Sequence, residues 1–302
     1  AAVSGLQGKA SDTSQPPWWR VVLAGTHPLD KLLPGPAPRE AAQRARLKVA
    51  LGGRGLQASL ADLRRGKLPR FMGAHYADAE IKPAGGYSVH NCTLIYLHGF
   101  GQRGQRYCNP GLKLPWVKGE SGTPCASVSG LRVVLPTSSR LAQPWGELKP
   151  SWYVYADKTS NSAGEPTDAL GATRSRILCI LKEEIARLKG ASHRVFLGGY
   201  SQGCGVALDT YLREGRQLGL GGFVGAGGWV PCDKDGFTGI DSAIARLIAD
   251  PVQRLRPLWL MLPTDDAKFV TWQFASASLR RLSGKLPGLG LRKVSGRGHG
   301  IG

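Results

Sequence analysis

The sequence predicts an α/β fold built on a doubly wound, mostly parallel sheet that is flanked by helices. The first observation is a series of short apolar runs after residue 91, each ending in glycine, proline or a polar turn. Such continuous runs are typical of parallel strands, which are buried on both faces. The second observation is that stretches of helical periodicity separate these runs, and strands alternating with helices form βαβ units. With 302 residues, the chain can bury roughly three quarters of its extended surface.

The apolar runs predict six strands. In chain order they are CTLIYL (92–97), LRVVL (131–135), RVFL (194–197), GGFVGA (221–226), PLWLML (257–262) and GLRKV (290–294). The four helices predicted between them lie at 170–188, 202–213, 241–248 and 270–282. The first helix has the clearest pattern, because Ile177, Leu181 and Ile185 recur at helical spacing along one face.

Residues 1–85 are predicted to form an irregular basic extension ahead of a folded domain at 86–302. Proline- and glycine-rich turn signals punctuate the extension, among them QPPWW, HPLDKLLPGPAP and KPAGG. One helical stretch is predicted between Arg39 and Arg65, and the glycines of GGRG at 52–55 interrupt it. Because the segment has no sustained apolar pattern to bury, we expect a chain that starts near Ala84 to keep its chemistry.

The chain is strongly basic, with 40 Lys and Arg against 21 Asp and Glu and a formal net charge of +19. Such a surplus attracts phosphates and leaves peripheral contact with an anionic membrane open. The sequence has neither an RNA-binding signature nor a basic run with interleaved aromatics, so we expect no nucleic-acid partner. No apolar run reaches the roughly 18 residues of a membrane-spanning helix, and the first residues lack a signal-peptide core. We therefore expect a cytoplasmic protein, unless a leader has been removed.

The cysteines show no C-x-x-C pair and no regular spacing. They are Cys92, Cys108, Cys125, Cys179, Cys204 and Cys232. In a chain of this length, that pattern predicts reduced, buried thiols rather than a disulfide framework or a zinc site. A Cys108–Cys125 disulfide is the alternative that stays open. We expect neither a metal nor a cofactor.

The pentapeptide GYSQG, with Ser201 at its centre, fits the G-x-S-x-G pattern of a nucleophile elbow. In that motif a strained turn between a strand and a helix exposes a serine hydroxyl. The alternative is an ordinary glycine turn, since 42 of the 302 residues are glycine. The context favours the elbow, because the motif follows the predicted strand at 194–197 and reacting groups collect at the carboxyl ends of parallel strands.

A serine nucleophile needs a base, usually a histidine that a carboxylate orients. The elbow arrangement has the chain order serine, then aspartate or glutamate, then histidine, and His299 is the only histidine after Ser201. Asp265 and Asp266 follow the predicted strand at 257–262. We favour Asp266 as the partner of the histidine and assign Asp265 to a helix N-cap or the surface, with the reverse assignment left open.

The negative oxygen of a tetrahedral intermediate needs two hydrogen-bond donors. In this arrangement one donor is the backbone N–H of the residue after the nucleophile, here Gln202, and the other comes from a glycine-containing loop after an earlier strand. The loop after residues 92–97 reads HGFG, which makes the N–H of Phe100 the second donor. His98 precedes the serine in this same loop, so we interpret it as structural rather than as the base.

Seven sequence segments, taken together and in their order along the chain, resemble those of a known protein family. They are LIYLHGFGQRG, LPTSSR, KPSWYVY, RVFLGGYSQGCGVAL, GGFVGAGGWVP, the strand before Asp266, and VSGRGHG. From Cys92 to its end, the chain resembles the acyl-protein thioesterases, in the phospholipase/carboxylesterase branch of the α/β-hydrolases. The elbow, the PSW triplet and the G-x-W-x-P block are more discriminating together than any one of them alone.

The resemblance implies a catalytic triad with Ser201 as nucleophile, Asp266 as orienting acid and His299 as base. Phe100 and Gln202 would form the oxyanion hole. The enzyme would be a serine hydrolase without a cofactor, acting on acyl thioesters of proteins or on carboxylic esters.

The resemblance also implies an acyl channel and leaves two alternative functions. The side chains that would flank the channel are Leu141, Trp145, Trp152 and Trp229. Ordinary core packing is the alternative for each tryptophan. The alternative functions are a small-molecule carboxylesterase or lysophospholipase of the same branch, and a non-catalytic hydrolase-like binding module.

Three features depart from the family's pattern. Gln102 stands where the family usually has aspartate, and Pro263 and Thr264 replace the usual Gly-Asp lead before Asp266. The chain stops three residues past His299, where the family continues into a helix. The resemblance therefore predicts that the domain at 86–302 is truncated at its C-terminus and that the base is loosely held.

Overall fold

The computed structural model describes residues 78–83, 86–112, 114, 130–155, 167–231, 238–267, 269–296 and 298–299. Most of the predicted extension, residues 1–77, lies outside these ranges, as do Cys125 and Cys232. No helix within the described ranges combines the length and the apolarity that crossing a membrane requires.

A central sheet organises the described part of the chain. In chain order its strands and those of a small hairpin are β1 (Ala79–Ile81), β2 (Cys92–Leu97), β3 (Leu131–Leu135), β4 (Arg140–Ala142), β5 (Leu148–Pro150), β6 (Val195–Tyr200), β7 (Gly222–Ala226), β8 (Leu258–Pro263) and β9 (Leu289–Val294). Seven strands form the sheet in the order β1-β3-β2-β6-β7-β8-β9, and β4 pairs with β5. All neighbours in the sheet are parallel except β1 and β3. The predicted doubly wound, mostly parallel sheet is confirmed.

The helices that flank the sheet are α1 (Thr167–Arg187), α2 (Gln202–Leu218), α3 (Thr238–Ala249) and α4 (Trp272–Leu279). Short 3-10 helices lie at Tyr87–Val89, Gly104–Cys108, Pro110–Leu112, Ser192–Arg194 and Gln253–Leu255. All four predicted helices are present, with shifted ends. Helix α4 begins at Trp272 because the hydroxyl of Thr271 caps it, accepting the N–H of Phe274 at 3.3 Å.

Two hydrophobic cores lie on the two faces of the sheet. Alternate residues of β2 enter different cores: Ile95 and Leu97 join one, and Leu94 and Tyr96 join the other. All six residues of β2 are buried. Burial on both faces is the physical reason why this strand is apolar throughout and shows no alternation of polar and apolar residues.

The structure differs from the predicted irregular extension at residues 79–81, which form the edge strand β1. Ala79 pairs with Leu135 of β3, and Ile81 is fully buried. Sequence periodicity missed β1 because three residues are too few to establish a strand pattern. We therefore propose that the folded domain includes β1 and does not begin at residue 86, and a chain that starts near Ala84 would lack this edge of the sheet.

Asp78, immediately before β1, makes an ion pair with a buried arginine of helix α1. Its Oδ1 accepts a hydrogen bond from Arg176 at 2.9 Å and another from the backbone N–H of Thr137 at 2.7 Å. The side chain of Arg176 is only 1% exposed. Its guanidinium lies 5.7 Å from the ring centre of Trp152, so the ion pair supports the region beneath the loops at the carboxyl edge.

The described cysteines are buried thiols, as the sequence predicts. Cys92, Cys108, Cys179 and Cys204 are thiols, and none of the four is in a disulfide. Cys108, the described member of the alternative Cys108–Cys125 pair, is therefore not bridged. Burial raises the pKa of the Cys204 thiol to about 12, which keeps it protonated and unreactive at neutral pH.

Replacing Asp78 by alanine should destabilise the fold strongly, because it leaves the Arg176 guanidinium buried without its carboxylate. Breaking a buried pair in this way costs about 3–5 kcal/mol. The matched control is Asp241→Ala, which breaks the exposed pair with Arg281 and should cost less than about 1 kcal/mol. Urea unfolding of both variants measures the difference, and equal losses would contradict the structural importance of Asp78.

Candidate active site

Ser201 lies between the end of β6 and the start of α2, in a strained backbone conformation. Its φ of 52° and ψ of −124° lie in a region that residues with a side chain rarely adopt, at a cost of about 1–3 kcal/mol. The turn is held on both sides: the N–H of Ser201 donates to Ala226 O at 2.9 Å, and Ser201 O accepts the N–H of Gly205 at 3.1 Å. This is the strand–turn–helix context that the elbow motif requires.

The two glycines of the motif allow the turn to pack closely. A Cβ atom on Gly203 would lie 2.3 Å from the carbonyl oxygen of His98 at the end of β2. A Cβ atom on Gly199 would lie 2.6 Å from the carbonyl carbon of Gly203. Larger residues at either position would push α2 away from the sheet, so the spacing of the glycines follows from the geometry of the turn.

The structure brings Ser201, His299 and Asp266 into one hydrogen-bonded chain. The Oγ of Ser201 lies 2.8 Å from Nε2 of His299, and Nδ1 of His299 lies 2.5 Å from Oδ2 of Asp266. Ser201 is 7% exposed and Asp266 is 4% exposed. With the proton on Nδ1, the imidazole donates to the carboxylate and offers Nε2 to the serine hydroxyl.

The Asp266 carboxylate is fixed by its own backbone turn. Oδ1 accepts the N–H of Phe269 and Oδ2 accepts the N–H of Val270, both at 2.8 Å. These bonds stabilise the charged carboxylate next to the imidazole. Burial lowers the pKa of His299, and the charge of Asp266 opposes that shift. A histidine with a lowered pKa is neutral at neutral pH and is available as a base.

Asp265 points away from the imidazole and toward the loop that follows β9. It is exposed, and its Oδ2 accepts the backbone N–H groups of Gly296 at 2.8 Å and Gly298 at 3.2 Å. The sequence analysis assigned Asp265 either to a helix N-cap or to the surface. The surface position agrees with the structure, because Thr271 is the residue that caps α4.

The backbone N–H groups of Phe100 and Gln202 lie at the carboxyl edge of adjacent parallel strands, β2 and β6. Among the described residues, neither group donates to a protein acceptor. On either side of Phe100 the loop is held: Gly99 N–H donates to Gln102 Oε1 at 3.3 Å, and Gly101 N–H donates to Pro150 O at 2.8 Å. The loop thus leaves one N–H available between two that are satisfied.

His98 does not contact the triad and lies fully buried beneath the Phe100 loop. Its Nδ1 donates to Gly99 O at 2.7 Å, and its Nε2 accepts the N–H of Ser138 at 3.0 Å. Burial lowers the pKa of His98 to about 3, so the ring stays neutral. These contacts agree with the structural interpretation made from the sequence.

The side chain of Gln202 links the elbow to the PSW segment, a contact that sequence reasoning missed. Its Oε1 accepts the N–H of Trp152 at 3.0 Å, and its Nε2 donates to Tyr153 O at 3.0 Å. The sequence contains both PSWY and SQG, which could have suggested this contact, but no local pattern links two segments so far apart in the chain.

Gln102, at the position where the family usually has aspartate, accepts the Tyr107 hydroxyl at 2.6 Å.

Three of the four side chains predicted to flank an acyl channel are buried in the fold. Leu141, Trp152 and Trp229 are 5%, 2% and 3% exposed, and both of these tryptophans belong to the core that α1 and α2 cover. The indole N–H of Trp152 donates to His98 O at 2.7 Å. Core packing, the alternative weighed for each tryptophan, therefore accounts for Trp152 and Trp229.

Trp145 differs from the other three, because it is only half-buried and lies beside Phe100. Its ring centre is 6.0 Å from that of Phe100 and 6.3 Å from that of Tyr155. The indole Nε1 is buried without a hydrogen-bond partner among the described residues. Tyr155 was not predicted from the sequence; it packs edge-on against Phe100 at 5.4 Å.

Within the described ranges, no cluster of His, Cys, Asp or Glu could hold a metal ion.

The chain is similar to a group of known proteins. The sequence profile of the phospholipase/carboxylesterase family matches residues 84–243, just over half of the chain. Acyl-protein thioesterase 1 of Yarrowia lipolytica is 27% identical over 146 residues, which cover 48% of this chain and 60% of that protein. Acyl-protein thioesterase 1 homolog 1 of Dictyostelium discoideum is 23% identical over 197 residues, covering 65% of this chain and 77% of that protein. The chain thus spans less than two thirds of the Yarrowia relative.

A crystal structure of acyl-protein thioesterase 2 from Zea mays has a similar fold. The TM-score is 0.55 at 21% identity, and the match covers 74% of this chain and 90% of the maize chain. Together with the family profile, this likeness confirms the predicted α/β-hydrolase fold.

Replacing Gly203 by alanine should destabilise the protein by about 1–3 kcal/mol, the usual cost of overpacking, because the new Cβ would overlap His98 O. The control is Gly171→Ala in α1, where a Cβ meets no atom within 4 Å. That change should stabilise the protein by about 0.5–1 kcal/mol, because alanine is the better helix former. Urea unfolding measures both, and a Gly203→Ala protein as stable as the wild type would contradict the close packing of the elbow.

Proposed function

The chain belongs to the phospholipase/carboxylesterase family, and on that premise we propose that it is a serine hydrolase with Ser201 as nucleophile. The observation that carries the proposal is the unbroken hydrogen-bonded chain from Ser201 through His299 to Asp266. The family and the thioesterase names of the relatives support an esterase or thioesterase activity. We propose acyl thioesters of proteins as the substrate class, with carboxylic esters as further substrates.

The first step is acylation of the serine. The Oγ of Ser201 attacks the carbonyl carbon of the substrate while Nε2 of His299 takes the hydroxyl proton. Asp266 holds the imidazole in the tautomer that accepts this proton and stabilises the imidazolium that forms. The N–H groups of Phe100 and Gln202 would donate to the oxygen on which negative charge develops.

Acylation ends when the leaving group departs, and a second step, deacylation, then releases the acid and restores the enzyme. His299 gives its proton to the leaving thiolate or alkoxide, which departs as a thiol or an alcohol. A water molecule then attacks the acyl carbon, with His299 taking one of its protons and returning it to Ser201 Oγ. The products are a carboxylic acid and the free serine, so atoms and charge balance without any cofactor.

The acyl group would contact an aromatic surface next to the oxyanion hole. Phe100, Trp145 and Tyr155 pack against one another at ring distances of 5.4–6.3 Å, and Trp145 is half-buried. We propose that this aromatic surface, rather than the buried Trp152 and Trp229, receives the acyl chain. The complete triad geometry favours an enzyme over the non-catalytic binding module.

Replacing Ser201 by alanine should abolish hydrolysis of a p-nitrophenyl ester and labelling by a fluorophosphonate probe. Losing the nucleophile leaves only the weak catalysis of the oxyanion hole and binding. The control, Ser276→Ala, removes an exposed hydroxyl on α4 and should retain both activities. Turnover by a folded Ser201→Ala protein would refute the assignment of Ser201 as the nucleophile.

The substrate class is tested by giving the wild-type protein an S-palmitoylated peptide and a lysophospholipid at equal concentration. A higher kcat/KM for the thioester supports the proposed class. A higher kcat/KM for the lysophospholipid would instead support the small-molecule alternative.

The dependence of kcat/KM on pH tests the assignment of His299 as the general base. Because His299 must be neutral to accept a proton, kcat/KM should rise with pH and level off above the pKa of His299. Burial lowers that pKa, so the midpoint should fall below the ordinary histidine value of about 6.5. Asp266→Asn removes the charge that opposes this shift, so the midpoint should fall further while turnover drops by about 10⁴-fold, as in a serine protease.

The control for the pH profile is His193→Asn, which changes a histidine before β6, at the amino end of the sheet. It should leave the midpoint and the turnover unchanged. A flat profile in an active protein would exclude a histidine base.

A further inference from the structure

The segment that carries His299 follows β9, which ends at Val294. We call its described residues, 295, 296, 298 and 299, the base loop. Two of its residues, Gly296 and Gly298, have positive φ values of 78° and 51°, a conformation that glycine adopts readily but does not favour over others. A loop of this kind holds a side chain in place only if its backbone is fixed by other parts of the protein.

One contact fixes the base loop from the side of β8. The Oδ2 of Asp265 accepts the backbone N–H groups of Gly296 and Gly298, the two glycines with positive φ. Backbone N–H groups in such turns converge and bind a negatively charged group well. The carboxylate therefore selects the one loop conformation in which both N–H groups point toward it.

A second contact fixes the base loop from the side of the elbow. The hydroxyl of Tyr200, the residue before the nucleophile, donates a hydrogen bond to the backbone carbonyl of His299. The two rings lie 5.3 Å apart. Burial and the nearby Asp266 charge raise the pKa of Tyr200, so the phenol remains a donor across the working pH range.

Tyr200 is itself rigidly placed. It is 5% exposed, and a Cβ atom on Gly99 would lie 2.8 Å from its ring. The ring is thus packed against the loop that presents Phe100, while its hydroxyl reaches the base loop. One side chain connects the elbow, the oxyanion loop and the backbone of the base.

We propose that Asp265 and Tyr200 are positioning residues that fix the backbone of the base loop on either side of His299. Asp265 holds the N–H groups before the histidine, Tyr200 holds its carbonyl, and together they set the imidazole between Ser201 and Asp266. Neither side chain would touch the substrate. The proposal rests on the proposed function, since it assigns Asp265 and Tyr200 to the positioning of the same catalytic base.

The sequence led us to expect a loosely held base, whereas these contacts support the backbone on either side of His299. Thr264 adds to the support, since its N–H donates to Val294 O at 2.8 Å where the base loop begins. The described residues alone therefore supply hydrogen bonds at the start, in the middle and at the end of the base loop.

The test is kinetic and uses the full chain. Tyr200→Phe removes only the hydroxyl, and Asp265→Ala removes the acceptor. Each should lower kcat for a p-nitrophenyl ester by about tenfold or more with little change in KM, because a displacement of about 1 Å can cost up to 10²-fold in rate. Asp265→Asn keeps an acceptor oxygen and should retain most of the activity.

Two variants with similar contacts far from the site serve as controls. Asp250→Ala removes a carboxylate that also accepts two loop N–H groups, those of Val252 and Gln253. Tyr211→Phe removes a buried hydroxyl that accepts from Gln253. Both should lower stability without changing kcat of the folded protein, with folding checked by circular dichroism.

Proton NMR gives a second readout that does not depend on turnover. The Nδ1–H of His299, bonded to Asp266, should give a low-field signal in the wild type that is weakened in Tyr200→Phe and Asp265→Ala and unchanged in the controls. Unchanged kcat and an unchanged signal in both site variants would overturn the positioning proposal. A wild-type protein that shows the signal but neither hydrolyses esters nor reacts with a fluorophosphonate would overturn the proposed function alone.

Discussion

The candidate site depends on one steric constraint, the direct packing of the first turn of α2 against the end of β2. No side chain separates them, because Gly203 faces the carbonyl oxygen of His98. This approach brings the N–H of Gln202 and the N–H of Phe100 to the same edge of the sheet. It also forces Ser201 into its strained conformation, which the hydrogen bonds to Ala226 and Gly205 maintain. The strain and the site therefore have the same cause.

Beneath the site, the buried polar groups are matched to one another. The Gln202 side chain accepts the backbone N–H of Trp152, and the Trp152 indole donates to His98 O. The His98 ring in turn forms hydrogen bonds with the backbone of Gly99 and Ser138. His98 carries no charge because its pKa is lowered by burial. An uncharged, fully bonded layer of this kind rigidifies the loops without adding a competing charge near the base.

The electrostatics of the base reflect a balance between two opposing effects. Burial disfavours the imidazolium form of His299, while the Asp266 carboxylate favours it. The carboxylate can remain charged in a buried position because Phe269 and Val270 donate their N–H groups to it. Burial favours the neutral imidazole of His299, and the adjacent carboxylate would stabilise a positive charge on the ring in the mechanism proposed above.

The sequence by itself determined the order of six strands and four helices, the elbow and the triad candidates, but not β1 or the β4–β5 hairpin. Apolar runs and helical periods are local, and the order of Ser201, Asp266 and His299 along the chain follows the strands that carry them. The G-x-S-x-G pattern placed Gly199 and Gly203, and the structure supplied the reason, since close packing of the elbow admits no larger residue at either position.

Only the tertiary structure decided which aspartate faces the histidine, which tryptophans are core, and what holds the base loop. Asp265 and Asp266 are adjacent in sequence but point in different directions, because the backbone turn after β8 directs one carboxylate inward and the other toward Gly296. Trp152 and Trp145 differ only in their surroundings. The Tyr200 hydroxyl meets His299 across 99 positions. Such contacts have no periodic signature, since they arise from the packing of distant segments rather than from local conformational preference.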